Sequence, residues 1–236
     1  MAEKRRKGRG KLLLRDLEFE VQEGILLANI ADPAGMKEYV ERHKHVPCAE
    51  FHWWLRIDMK KLAIESKIDD EIEWLDWKPA IYDTHLVLPR MSRWIELAGQ
   101  EKTWDSPYDP KSGIPNGGFY VWEHENIPKA TLRFVERAGC RFRVHWKGSC
   151  DVFWDEKYND QVPFELDAWV QFTEVRVAGS WRDNDNTIRE RLARYLDPAD
   201  FVQKRIKKSK IKFDYGTRTV TDSILRPRPN IRTTSG

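Results

Sequence analysis

Residues 51–59, FHWWLRIDM, alternate without a fault. Phe51, Trp53, Leu55, Ile57 and Met59 fall on one side and His52, Trp54, Arg56 and Asp58 on the other. Successive side chains of an extended strand point to opposite faces, so a period of two defines a half-buried strand. The same period returns in residues 164–172, where Phe164, Leu166, Ala168, Val170 and Phe172 share a face. The pattern then slips by one, to Val175 and Val177. A one-residue slip turns every later side chain to the other face, so a bulge or bend is expected at Thr173-Glu174.

Strands are also expected over residues 17–27, Ile72–Trp77, Thr84–Leu88, Phe119–His124, Thr131–Glu136 and Cys140–Lys147. Ala138-Gly139 can close a tight turn between the last two. Helical signals are short. Asp32-Pro33 reads as an N-cap and first helical residue, with Met36, Tyr39 and Val40 as its stripe and Pro47 beyond its end. Met91–Leu97 is a short candidate. Ile188, Leu192, Tyr195 and Leu196 have helical spacing behind Asp185 or Asn186 as N-cap. Asp197-Pro198 can start one more helix, through Val202 and Ile206. The fold class expected is therefore α+β and β-rich: antiparallel sheets with a few short helices. No internal repeat emerges.

The 236 residues suit one large domain or two small ones. Residues 99–118 hold three prolines and several glycines, so the segment is either a functional loop or a domain boundary. Eleven Trp in a chain that is 40% hydrophobic supply ample apolar surface for a core or a binding face. The N-terminus lacks the apolar run of a secretory signal, and no stretch approaches a membrane span. Three cysteines, Cys48, Cys140 and Cys150, are too few and too odd for a disulfide scaffold, so thiols and a cytoplasmic setting are expected.

Charge is unevenly spread. Residues 1–11 carry +5 and residues 204–236 carry +8, which leaves 12–203 at −10 within a net charge of +3. The expected organisation is a flexible basic arm at 1–11, a globular acidic body at 12–203, and a basic, partly disordered tail at 204–236. Basic tails can grip a polyanion, so Lys4, Arg5, Arg6, Lys7, Lys207, Lys208 and Lys210 are the candidate nucleic-acid contacts.

Four clusters offer chemistry. Glu65, Asp69, Asp70, Glu71, Glu73 and Asp76 interleave with Trp74 and Trp77. Aromatics supply anchor area and carboxylates supply steering, so Glu71, Glu73, Trp74, Asp76 and Trp77 form a candidate face for a basic protein partner. His43, His45, Cys48 and His52 are zinc-ligand types, but their spacing matches no two-knuckle or helical i, i+4 arrangement. Asp151, Asp155, Glu156, Asp160, Glu165 and Asp167 have the density of a metal-dependent hydrolase or nuclease without a diagnostic order. Arg141, Arg143, His145 and Lys147 make one basic strand face. If it pairs with Glu165 and Asp167, the opposite charges satisfy each other across the strands. There is no phosphate-binding loop, dinucleotide turn or nucleophile elbow, and no cofactor is implied.

The reading that joins these features is a non-enzymatic protein-binding module, of inhibitor or immunity type, offering an acidic, Trp-containing face to a basic partner. The alternatives are a nucleic-acid-associated protein and a metal-dependent hydrolase.

Overall fold

A computed structural model describes residues 10–31, 49–179, 184–213 and 216–229, without side chains for 203–222. The helix expected after Asp32-Pro33 lies outside the described residues.

The alternating segments become strands of one curled sheet of twelve strands. Its members are β1 (Gly10–Leu14), β2 (Leu17–Ile30), β3 (Phe51–Met59), β6 (Ala80–Leu86), β7 (Glu101–Trp104), β8 (Gly118–Tyr120), β9 (His124–Asn126), β10 (Lys129–Ala138), β11 (Arg141–Val152), β12 (Asn159–Gly179), β13 (Phe201–Phe213) and β14 (Gly216–Pro227). Two more, β4 (Leu62–Ile68) and β5 (Glu71–Trp77), form a separate hairpin. Among the described residues the α-helix is α1 (Asp185–Ala193), capped by Asn184, whose side chain accepts from the N–H groups of Asn186 and Thr187. Asn184 thus takes the role expected of its two successors.

Pairing is antiparallel except at one place. β1 lies between β2 and β12, antiparallel to both. Beyond Gly10, the first residue of β1, β2 pairs with β12 directly and in parallel, Ile25 opposite Gln171 through Ile30 opposite Val177. That ladder shifts register between Phe172 and Glu174, where the sequence slips by one. The slip lets the apolar residues of both halves of β12 face inward, since Phe164, Leu166, Ala168, Val170 and Phe172 and then Val175 and Val177 are buried.

The ends of the sheet curl toward each other. Lys102 of β7 reaches Asp83 of β6 at 3.3 Å, although these strands lie far apart in the strand order. Gly117 rests where an added Cβ would meet Trp146 at 3.2 Å and Trp104 at 3.4 Å, and its φ of +93° suits glycine. Inside the curl, Trp94 of a 3-10 turn (Trp94–Leu97) packs on Phe142 and Phe172, and Trp53 packs on Phe172. Such edge-on aromatic contacts add to the stabilisation from buried area.

Several expectations change. Phe119–His124 is two short strands, β8 and β9, rather than one. The segment 99–118 contains β7, which extends the sheet beyond β10. The helix expected through Val202 and Ile206 is strand: the turn at Pro198–Asp200 is only three residues long, and the chain then enters β13. Residues 201–213 and 216–227, expected in part as a tail without fixed structure, pair as β13 and β14, and β14 also pairs with β12 over Val175–Gly179. The run Lys204 to Lys212 is too charged to read as a buried strand, which is why its pattern gave no warning.

Candidate functional site

The β4–β5 hairpin continues from the β3–β6 pair, since Met59 N–H donates to Pro79 O at 2.8 Å just below it. Asp69 and Asp70 form its two-residue turn, with φ of 49° and 65°. Left-handed residues at both central positions match the twist of the flanking strands, and Asp tolerates that region better than most residues.

Its base is anchored in the core. Trp77 is fully buried against Trp154 and Tyr158, with ring centroids at 5.0 and 5.2 Å, and its indole N–H donates to Ser66 Oγ at 2.9 Å. Its flank is tied to the turn at 153–158. Lys67 O accepts from Glu156 N–H at 2.9 Å, and Lys67 Nζ meets Asp70 at 2.7 Å and Glu156 at 2.5 Å. Lys67 beside them holds the Asp70 and Glu156 carboxyls below the usual range. Arg15, at the β1–β2 turn, donates to the carbonyls of Lys157 and Tyr158 from the other side.

Beyond this anchor the hairpin projects. Glu71, Ile72, Glu73 and Trp74 are all exposed, Ile72 at 68% and Trp74 at 72%. Glu65, Asp69, Glu71 and Glu73 make no ion pair with any described residue, whereas Asp76 pairs with Lys61 at 2.5 Å. An exposed indole amid uncompensated carboxylates is costly to solvate and well suited to burial against a cation-rich surface.

The expected site therefore splits. Glu71, Glu73, Trp74 and Asp76 are on the projecting hairpin, but Trp77 is a core residue, a correction made by its packing against Trp154 and Tyr158. Ile72, Trp74 and Asp76 share one face, and Glu71 and Glu73 the other. The structure adds residues that the sequence reading passed over: Trp122 and Phe153, exposed at 52% and 59%, flank the half-buried Trp154 at the same end. Their signal was the recurrence of aromatic next to acid, in Trp122-Glu123 and in Phe153 to Glu156.

The other candidates resolve differently. Arg143 bridges Asp167 at 2.6 Å, and His145 and Lys147 meet Glu165 at 2.9 and 3.0 Å, so that basic face is neutralised across β11 and β12 as expected. Asp155 is buried in the turn after β11, and no three His, Cys, Asp or Glu among the described residues are grouped to hold a metal ion. His43, His45 and Cys48 lie outside the described residues. His52 stacks on His85 at 4.8 Å, donates from Nδ1 to Ala49 O and accepts at Nε2 from the Asn29 side-chain amide. Burial, with His85 beside it, lowers the His52 pKa to about 4. Cys140 immediately precedes β11 and Cys150 lies within it, and no disulfide joins the two. Lys4, Arg5, Arg6 and Lys7 lie outside the described residues, and Lys207, Lys208 and Lys210 fall on β13 in register with Asp222, Thr221 and Thr219. No helix among the described residues is long and apolar enough to cross a membrane.

The chain matches no known family model, no curated protein and no solved structure.

Proposed function

We propose that this chain is a non-enzymatic protein-binding module that presents the β4–β5 hairpin to a basic partner, in the manner of an inhibitor or immunity-type protein. The observation that supports this reading is the exposed Trp74 and Ile72 on a hairpin that bears four carboxylates without an ion pair among the described residues and is fixed at its base by Trp77 and Lys67. Rigid anchoring lowers the ordering entropy that a flexible loop would lose on binding. The carboxylates speed encounter with a positive surface, and the apolar groups supply the contact that slows release.

The test compares capture from a lysate by the intact chain, by Trp74→Ala and by a Glu71→Lys/Glu73→Lys double variant. A basic protein retained by the intact chain and lost by both variants, with unchanged far-ultraviolet circular dichroism, is the expected outcome. Equal capture by all three refutes the reading.

A further inference from the structure

The hairpin has two edges, and among the described residues a main-chain bond from the rest of the protein reaches only one of them, at Lys67. The turn at Asp69–Asp70 makes Ile68 and Glu71 the first hydrogen-bonded pair. Bonded and non-bonded pairs alternate in an antiparallel ladder. Ser66 with Glu73 and Ile64 with Leu75 are therefore bonded inward, and the main-chain groups of Lys67, Glu65, Ile72, Trp74 and Asp76 point outward. The β4 side shows the parity directly, because the outward carbonyl of Lys67 accepts from Glu156. On the β5 side no described residue bonds to the main chain of Ile72, Trp74 or Asp76. Buried or not, such a row of N–H and C=O groups is a template for another strand.

We propose that β5 binds its partner by strand addition, taking an extended segment in which basic and apolar residues alternate. The proposal rests on the protein-binding reading above and specifies its geometry. An added strand lies flush with β5, so its alternate side chains sit beside alternate β5 side chains. Along one face they meet Glu71 and Glu73, which select Lys or Arg. Along the other they meet Ile72 and Trp74, which select apolar groups. A second copy of β5 is the wrong occupant, because edge-to-edge pairing would bring two uncompensated Glu71–Glu73 pairs to one seam with no cation to offset them.

The test uses the full chain and three synthetic probes: a short peptide alternating lysine and valine, a lysine-rich peptide that folds as an amphipathic helix, and a glutamate–valine peptide as the charge control. Amide exchange is followed by NMR. The expected result is that the alternating peptide binds in a salt-sensitive way and slows exchange at Ile72, Trp74 and Asp76 by about tenfold or more. That slowing corresponds to at least about 1.4 kcal/mol of added protection. The amides of Glu71, Glu73 and Leu75, already bonded within the hairpin, change little. A glutamate–valine peptide does not bind. Ile72→Pro, which removes an outward N–H without breaking a bond inside the hairpin, weakens the alternating peptide more than Ile72→Ala does.

Binding of either lysine peptide at Glu71 and Glu73 without protection of the three outward amides overturns strand addition and leaves the acidic face as a binding surface. Binding of neither peptide at the hairpin overturns both.

Discussion

Trp74 and Trp77 stand three residues apart on one strand and have opposite environments, 72% exposed and fully buried. Trp77→Ala should destabilise the chain by about 3–5 kcal/mol, as large aromatic truncations in cores do, and a urea titration reads this directly. Trp74→Ala should change stability by no more than about 0.5 kcal/mol while weakening partner binding. His52 provides a pH-dependent contrast. Its pKa in the fold is about 4 against an ordinary 6.5, so between these values the unfolded chain holds a proton that the native chain does not. Stability should therefore fall as pH drops from about 6.5 to about 4. His85, whose pKa burial also lowers, adds in the same direction. The midpoint of urea unfolding, measured across that window, should vary less with pH in His52→Gln than in the intact chain.

At the scale of the element, the β4–β5 hairpin combines an imperfect turn with a firm base. Asp70 holds a φ of 65°, where a residue with a Cβ is strained by about 1 kcal/mol. Its ion pair with Lys67 is exposed and returns little. Asp70→Gly should therefore leave stability unchanged or raise it by up to about 1 kcal/mol, read again from urea unfolding. Reversing Glu71 and Glu73 to Lys touches neither the turn nor the base. It should slow association with a basic partner most strongly at low salt and less at physiological ionic strength, where screening is greater, with no loss of folding. Stopped-flow mixing at two salt concentrations separates the effect on association from any effect on release.

Across the whole molecule, sequence-distant pieces hold the curl closed. Arg93 donates to both oxygens of Asp200 at 3.1 and 2.6 Å, and Asp200 is almost fully buried. This pair joins the turn that fills the core to the start of the β13–β14 hairpin, where Arg228 N–H also donates to Asp200 O. Arg93→Ala would leave a buried carboxylate alone, so a loss of about 3 kcal/mol or more is expected on thermal or urea unfolding. The nucleic-acid alternative also has to be tested with the fold in mind. A chain cut after residue 203 would lose β14 and uncover the β12 edge at Val175–Gly179, so its failure to bind would report on folding. Neutralising Lys207, Lys208 and Lys210 and removing residues 1–9 is the cleaner comparison, with salt-dependent anisotropy on labelled DNA and RNA as the readout.

Period-two patterning by itself determined that residues 51–59 and 164–177 are strands, which faces they bury, and where β12 slips. Those are local properties, set by how side chains alternate along an extended backbone. The cross-strand pairing of Arg143 and Lys147 with Asp167 and Glu165 was legible for the same reason, once the two strands were taken as neighbours. Only the tertiary structure decided which strand edges stay open, because an edge is defined by what other segments do. The coverage of β4 by Glu156, the burial of Trp77 by Trp154 and Tyr158, and the recruitment of β13 and β14 to the sheet all depend on contacts between residues far apart in the chain. Composition and spacing carry no record of such contacts, and they are what leave Trp74, Ile72 and the outer edge of β5 facing outward.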